Sequence, residues 1–255
     1  MPNLMIPTGS RLKRVARKLR LRLRLACQFA TRFEVEQQRQ TCKITYSQCG
    51  EDMIVWFIFS ILKRPCRTYL DIGAHNPTYL SNTALFSLFG ARGMNIEPDP
   101  VLFAEFPRQR PRDINLNVGV AEKAGDMPFF KMSDPSLNTF SESEAESIAR
   151  HRGVTIESRG LVRVETIRSI LNQWDFVPDF LSIDVEGKDL EILRTYDFDR
   201  RRPLVISAET LGRAPNGCDQ KNTALIDFLA SKGFRAYADT YINTIFVDEA
   251  FLPRK

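Results

Sequence analysis

Two acidic residues stand where two apolar strands are expected to end, and their positions suit a ligand that carries ribose hydroxyls. Asp71 follows Thr68-Tyr-Leu, and Glu97 follows Met94-Asn-Ile. In an open α/β sheet, ligands bind outside the carboxyl ends of the strands, and an acid at the tip of the second strand can accept hydrogen bonds from both hydroxyls of a ribose. The pair therefore predicts a nucleoside-type cofactor, although each acid could instead cap a turn or a helix.

The turn after Asp71 narrows the choice of cofactor. A dinucleotide fingerprint requires three glycines, so that the backbone can approach a pyrophosphate. This turn contains only Gly73, and His75 and Asn76 would crowd a diphosphate. A cofactor with a ribose and no phosphate fits better, which predicts S-adenosyl-L-methionine (SAM) held by Asp71, Gly73, Asn76 and Glu97. Asn117, which ends a third predicted strand, is expected to face the adenine or to serve as a turn residue.

Two further acids, Asp184 and Glu186, end a later strand, where a methyl donor and its acceptor would meet. Transfer of a methyl group to a hydroxyl requires in-line approach and removal of a proton from the attacking oxygen. Either acid is a candidate base, and either could instead orient the substrate or cap the next helix. His75 and His151 are the alternatives because an imidazole titrates near neutral pH. His75 is also expected to shape the cofactor turn.

A third carboxylate, that of Glu209, is expected at the end of the following strand. Three carboxylates at one edge of a sheet could bind Mg²⁺. Acids at strand ends need not converge, however, and no metal ligand is predicted.

The elements that would position these residues alternate between strands and helices from Tyr46 onward, which is typical of a mainly parallel sheet covered on both faces. The predicted strands are 67–72, 93–97, 114–120, 180–185, 204–208, 234–238 and 241–247. The predicted helices include 51–62, 79–89 and 222–231. Residues 133–160 are polar and show no strand pattern, so they are expected to form a lid or insertion. The last two strands are separated by little more than a turn and must be antiparallel.

The excess positive charge of the chain is confined to its first forty residues. Residues 1–40 contain ten basic and two acidic residues, a net charge of +8, whereas the remainder carries −3. Residues 11–33 place Leu, Ala and Phe at helical spacing among the basic residues. This segment is predicted to lie on an anionic membrane surface, to dock on a partner, or to form a disordered tail. Nucleic acid is not expected as a partner because the basic run 11–24 has no stacking aromatic residues interleaved and the rest of the chain is acidic.

Composition indicates an ordinary globular protein. Of its 255 residues, 43% are hydrophobic and 26% are charged. The five cysteines are odd in number and form no CxxC pair, which favours a reduced, cytoplasmic setting without disulfides. We expect a basic segment over residues 1–40 and one catalytic domain over residues 41–255.

Seven stretches, in order along residues 46–187, resemble the FkbM family of SAM-dependent methyltransferases. They are 46–52 (YSQCGED), 71–77 (DIGAHNP), 81–83 (SNT), 95–98 (NIEP), 110–117 (RPRDINLN), 137–140 (LNTF) and 179–187 (DFLSIDVEG). The resemblance implies a seven-stranded Rossmann-like sheet and methyl transfer, usually to an oxygen. It also implies that Gln48 and Glu51, before the first helix, close over the cofactor, with helix capping as the alternative. The family's acceptors range from sugars to macrolides.

The sequence is therefore interpreted as a cytoplasmic SAM-dependent O-methyltransferase. Its acceptor is expected to be a small molecule or glycan, namely a saccharide, surface glycan or secondary metabolite. One alternative is an NAD-dependent or nucleotide-sugar oxidoreductase on a similar sheet, which the missing glycines disfavour. The other is a non-catalytic cofactor-binding module docked at the membrane.

Overall fold

The computed structural model describes residues 44–213 and 219–252. The chain divides into two compact units, Met1–Ile44 and Thr45–Lys255, and every helix and strand of the described residues belongs to the second. The predicted basic segment, residues 11–33, lies outside the described residues, and the predicted boundary at residue 40 stays a prediction. Within the described ranges, no helix is long and apolar enough to cross a membrane.

The strands of the described residues form one large sheet and two small ones. They are β1 (Thr68–Ile72), β2 (Arg92–Ile96), β3 (Ile114–Leu116), β4 (Gly119–Val120), β5 (Gly125–Met132), β6 (Ile156–Glu165), β7 (Phe180–Ile183), β8 (Val205–Glu209), β9 (Leu211–Arg213), β10 (Asp219–Lys221), β11 (Phe234–Asp239) and β12 (Asn243–Asp248).

The α-helices lie mostly between strands. They are α1 (Glu51–Ile61), α2 (Ala84–Leu88), α3 (Pro100–Phe103), α4 (Phe106–Gln109), α5 (Glu142–Arg152), α6 (Ile167–Trp174), α7 (Asp189–Thr195) and α8 (Thr223–Ser231). Short 3₁₀ turns cover Pro135–Leu137 and Glu249–Phe251.

The large sheet has seven strands in the order β11-β12-β8-β7-β1-β2-β3. β3, β2, β1, β7 and β8 pair in parallel, and β12 runs antiparallel to both β8 and β11. The order reverses direction at β1, so that ligands are expected at the carboxyl ends of β1, β2 and β7. The predicted α/β sheet of seven strands, mainly parallel with antiparallel pairing at one end, is confirmed.

Apolar layers pack on both faces of this sheet, because its central strands are buried on both sides. One core joins Val55, Ile58 and Phe59 of α1 to Tyr69, Phe180 and Val205 of the strands. The other joins residues of α6, α7 and α8 to the opposite side chains of β1, β2 and β7; it includes Ile170, Leu193, Leu225, Leu70 and Ile96. The prediction of helices on both faces is thereby confirmed.

The helix predicted at 79–89 begins only at Ala84. The preceding loop wraps around the buried guanidinium of Arg110, which donates to the Ser81 hydroxyl at 2.9 Å and to the Pro77 carbonyl. These loop residues therefore form hydrogen bonds with a side chain in place of the backbone hydrogen bonds of a helix.

The strand predicted at 114–120 is divided between two sheets. β3 ends the large sheet, whereas β4 pairs with β6 in a three-stranded sheet with the order β4-β6-β5. A single strand was therefore the wrong prediction. The chain leaves the large sheet at Asn117, and Gly119 then packs so closely under Phe140 that a Cβ atom would lie 2.5 Å from its ring.

The expectation of no strand within residues 133–160 is also wrong, because β6 begins at Ile156 and pairs antiparallel with β5. Most side chains of β6 are exposed, and hydrogen bonds to β5 rather than apolar burial define the strand. This explains the missing sequence pattern. We call residues 125–165 the lid; its own cores consist of Phe130, Met132, Leu137, Ala145 and Ile148, and of Phe129, Phe140 and Val164.

Candidate active site

A cavity of about 180 Å³ opens at the carboxyl ends of β1, β2, β7 and β8, and the lid covers part of it. Seven of the ten predicted site residues line the cavity. They are Gln48, Asp71, Gly73, His75, Glu97, Asp184 and Glu186. Ligands bind outside the carboxyl ends of the strands in an open α/β sheet, and this rule correctly predicted which edge of the sheet carries the cavity.

Gly73 brings the turn after β1 into direct contact with the turn after β7. A Cβ atom on this residue would lie 1.8 Å from the backbone oxygen of Asp184, and the backbone has a φ of +77°. Its N–H donates to the carbonyl of Ile96 at 3.0 Å. Only glycine fits here, because both the close approach and the left-handed conformation exclude a side chain.

Glu97 follows β2 and is held in one orientation by backbone donors. Its Oε2 accepts from the N–H of His75 at 2.8 Å, and its Oε1 accepts from the N–H of Asp99 at 2.7 Å. Burial raises the pKa of this carboxyl to about 8, although the two N–H donors oppose the shift. The side chain is 4% exposed, so a ligand in the cavity would meet a pre-positioned carboxyl.

Asp71 connects the cavity to a buried polar network. Its Oδ2 accepts from the hydroxyl of Thr83 at 2.6 Å, and the Thr83 oxygen accepts from the guanidinium of Arg110 at 2.8 Å. Burial raises the pKa of Asp71, and the hydrogen bond from Thr83 and the charge of Arg110 oppose that shift. Asp71 therefore lines the cavity and also braces the loop that precedes α2.

His75 presents a polar atom without a partner. Within the described residues, its Nδ1 is buried and forms no hydrogen bond, while its side chain lines the cavity. Burial lowers the pKa of the imidazole, so the ring is neutral at neutral pH. His151, the other candidate histidine, is exposed, bonds to the carbonyl of Ser147 and does not line the cavity.

Three predicted cofactor residues lie outside the cavity lining. The Glu51 carboxylate is buried and accepts from Thr240 at 2.7 Å; burial opposes its ionisation, but hydrogen bonds outweigh burial and lower its pKa. The Asn76 side chain accepts from the N–H groups of the two residues after Pro77. The Asn117 amide donates to the carbonyl of Glu97 at 2.8 Å. All three shape the loops that surround the cavity.

The acids at the ends of β7 and β8 converge, contrary to the caution that strand-end acids need not meet. Asp184, Glu186 and Glu209 each offer a carboxylate oxygen within 4.8 Å of the other two. Burial raises the pKa of Asp184 to about 6, and burial with mutual repulsion raises the pKa values of Glu186 and Glu209 well above their ordinary range. This end of the cavity can therefore accept and release protons near neutral pH, and its oxygens also suit a divalent cation.

Asp99 ties the lid to the loop that holds Glu97, a connection that the sequence analysis did not identify. Its carboxylate lies 2.8 Å from the ammonium of Lys131 and accepts from the amide of Asn138 at 3.2 Å. Its Oδ1 also accepts from the N–H of Val101 and thereby caps α3. The Asp99-Pro100 pair was a visible helix-start signal, but nothing in the sequence indicated its partners in the lid.

The residues present fit SAM on three observations. Glu97 offers a carboxyl at the end of β2, where ribose hydroxyls are expected. Gly73 lines the cavity at the turn after β1, where no side chain separates a ligand from the backbone. The unpartnered Nδ1 of His75 offers one more polar atom at the lining.

Two solved structures have a limited similarity to this chain. A methyltransferase FkbM from Methylobacillus flagellatus KT shares 16% identity over 72% of this chain, with a TM-score of 0.42. An O-methyltransferase from Bacillus cereus, solved with SAH, shares 11% identity over 96% of this chain and 93% of its own, with a TM-score of 0.38. The chain spans 44% of the length of the first structure. No curated protein matches this sequence.

A family model, the methyltransferase FkbM domain, matches residues 71–236, nearly two thirds of the chain. The match begins at Asp71 and includes the converging carboxylates of β7 and β8. It confirms the predicted family and, with it, SAM as the cofactor. This chain therefore belongs to the FkbM family of methyltransferases.

Proposed function

We propose that this protein transfers the methyl group of SAM to a hydroxyl oxygen of a saccharide, glycan or related acceptor. One observation carries the proposal: a single cavity places the pre-positioned Glu97 at one end and the converging carboxylates of Asp184, Glu186 and Glu209 at the other. The first end suits a ribose, and the second suits removal of a proton from an attacking hydroxyl.

The binding role falls to residues at β1 and β2. The cofactor, when bound, supplies a methyl group on a positively charged sulfur. Glu97 would accept hydrogen bonds from the ribose hydroxyls, and Gly73 would let the backbone approach the methionine moiety. Holding two reactants in line can contribute roughly 7–11 kcal/mol to lowering a barrier.

The chemical role falls to Asp184 or Glu186. Burial raises the pKa values of both, with repulsion from Asp71 adding to the shift of Asp184 and repulsion from Asp184 adding to that of Glu186, which makes each a stronger base than an ordinary carboxylate. The base accepts the proton of the acceptor hydroxyl as that oxygen attacks. A positioned base accelerates such reactions by about 10²–10⁴-fold.

The test compares Asp184→Asn and Glu186→Gln with the wild type, using labelled SAM and a panel of saccharides. We expect near-normal SAM affinity by calorimetry and, in at least one variant, a turnover reduced by about two or more orders of magnitude. Glu191→Gln is the matched control, because Glu191 is exposed on α7 and, among the described residues, pairs only with Lys188. If both site variants turned over at the wild-type rate, the base would have to be another group, and His75 would be the next candidate.

The same carboxylates could instead ligate Mg²⁺, since their oxygens lie within 4.8 Å of one another. Activity lost with a chelator and restored by Mg²⁺ would assign these acids to a metal rather than to proton removal. Binding of NAD in preference to SAM would favour the oxidoreductase alternative, and a folded protein that binds SAM without turning it over would favour a non-catalytic module.

We infer a cytoplasmic setting from the odd number of cysteines and the lack of a CxxC pair in the sequence; Cys49 and Cys66 are free thiols in the described residues. Peripheral membrane contact through residues 11–33 stays a prediction, since these residues lie outside the described part of the chain. Sedimentation of the full chain with anionic vesicles at low salt, and its release as salt rises, would support that contact.

A further inference from the structure

A side cavity of about 60 Å³ joins the main cavity at its β7–β8 end. Arg152, Glu186 and Glu209 line both cavities, whereas Glu144 and Ile148 of α5 line only the side cavity. The side cavity therefore lies between the lid helix α5 and the candidate base.

We propose that this side cavity receives the reacting end of the acceptor, and that Glu144 and Arg152 select an end bearing hydroxyl or amino groups over an anionic one. The proposal rests on the methyl-transfer function above and adds the acceptor's position and chemical class.

The volume limits what can enter. A single water molecule requires on the order of 10–15 Å³ of cavity volume. The side cavity, at about 60 Å³, therefore admits a few water molecules or a chemical group of similar size. A hydroxymethyl or aminomethyl group fits, and a whole sugar ring does not. The rest of the acceptor must therefore remain outside, beyond α5 and the strand β9.

The helix α5 holds its selecting residues on one face. Glu144, Ile148 and Arg152 are spaced by four residues, which places them one above another. Ser141 caps the helix by accepting from the N–H of Glu144, and Ile148 is buried in the lid core. The lid therefore fixes this face toward the side cavity.

The charges of the side cavity oppose an anion. Glu144, Glu186 and Glu209 line it with Asp184 adjoining, and these four carboxyls face the single guanidinium of Arg152, so the group stays net negative even with two of them protonated. Among the described residues, Arg152 forms no ion pair or hydrogen bond, and its charge favours the ionised form of Glu186 while that of Glu144 opposes it. A phosphate or carboxylate would meet net repulsion, whereas hydroxyl and amino groups can donate to the carboxylate oxygens.

The test uses three analogues of SAM in which a tertiary amine replaces the sulfonium. In place of the methyl group, the three probes carry a hydroxyethyl, an aminoethyl or a carboxymethyl substituent, so each presents a different charge to the acceptor region. Titration calorimetry with the full chain should show the hydroxyethyl and aminoethyl probes binding about tenfold or more tightly than the carboxymethyl probe.

Substitutions on α5 should change this discrimination in opposite directions. Glu144→Gln should reduce it roughly threefold, and Arg152→Gln should increase it, because each removes one charge of opposite sign. The matched controls are Glu146→Gln and Arg150→Gln, which alter exposed residues of the same helix outside either cavity lining.

Two outcomes are distinguishable. Equal affinities for the three probes, or an equal effect of Glu146→Gln and Glu144→Gln, would overturn this inference while SAM binding upheld the proposed function. Failure of SAM and of all three probes to bind a folded protein would instead overturn the proposed function.

Discussion

The two ends of the cavity use the same residue type in opposite surroundings. At the β1–β2 end, each carboxylate oxygen of Glu97 accepts a backbone N–H at 2.7 or 2.8 Å. At the β7–β8 end, Asp184, Glu186 and Glu209 face one another. Fixed donors hold a carboxyl in place, whereas facing carboxyls increase one another's affinity for protons.

This difference in surroundings lets carboxylic side chains perform two tasks in one cavity, ligand recognition at one end and proton transfer at the other. The β1–β2 end is rigid because backbone groups define it, which suits recognition of a constant ligand. The β7–β8 end derives its properties from several neighbouring carboxyls that influence one another's protonation, which suits chemistry.

Gly73→Ala should give the largest effect, because it breaks the close contact between the two ends. The new Cβ atom would lie 1.8 Å from a backbone oxygen at a φ of +77°. We expect a loss of stability on the order of 3 kcal/mol or more, a decrease in Tm of about 10 °C, and greatly weakened SAM binding. Thermal unfolding and titration calorimetry measure these quantities.

Gly90→Ala is the matched control. Gly90 also has a positive φ, of +94°, but nothing lies within 4 Å of its added Cβ atom. Its cost should be limited to backbone strain, about 1–2 kcal/mol, with SAM affinity unchanged. Equal losses in the two variants would show that the contact with Asp184 is unimportant.

The second prediction concerns proton release on binding at the β1–β2 end. Because the pKa of Glu97 lies near 8 in the free protein, the carboxyl is mostly protonated at pH 6. Ribose hydroxyls bind best to the ionised form, so affinity should fall as pH decreases, by about tenfold to hundredfold between pH 9 and pH 6. Calorimetry with S-adenosylhomocysteine in buffers of different ionisation enthalpy would detect the released proton.

Glu97→Gln should remove most of this pH dependence. The variant should also bind roughly tenfold to hundredfold more weakly at pH 9, because a charge-assisted pair of hydrogen bonds is lost. An unchanged pH profile in the variant would assign the titration to another group.

The smallest effect is expected from removing the ion pair between Lys131 of the lid and Asp99 of the loop after β2. Lys131→Met removes the ammonium 2.8 Å from the nearly buried Asp99. The loss should be about 1 kcal/mol, which corresponds to a decrease in Tm of about 2–4 °C.

Arg163→Met is the control for this prediction. Arg163 also pairs with an acid, Glu165, at 2.7 Å, but its side chain is 76% exposed. We expect no measurable change in Tm from this variant. A larger effect from Arg163→Met than from Lys131→Met would contradict the role assigned to the ion pair between Lys131 and Asp99.

Local patterns were sufficient to predict the sheet and the acidic residues at the strand ends that line the cavity. Apolar runs followed by acids marked the ends of β1, β2 and β7, and the rule for open sheets placed those ends together. Asp71, Glu97 and Asp184 were thereby placed at the cavity from sequence alone.

Side-chain partners distant in sequence were not predictable in this way. Arg110 donates hydrogen bonds to the loop that begins at Pro77, and Asp99 forms an ion pair with Lys131. Neither pair of partners is marked by a periodic pattern in the sequence. The start of β6 was missed for a related reason, since its exposed residues carry no apolar alternation. Asn117 was expected to face the adenine or to serve as a turn residue, and its amide donates to the carbonyl of Glu97.

The separate apolar cores of the lid have a consequence for how this family can diversify. Phe130, Leu137 and Ile148 pack among themselves, so the segment carries its own stabilising contacts. Substitutions on the face of α5 that lines the side cavity should therefore alter the acceptor end of the site without disturbing the sheet. The lid carries part of its own stability, so exchanging it between related sheets would test whether it sets acceptor specificity.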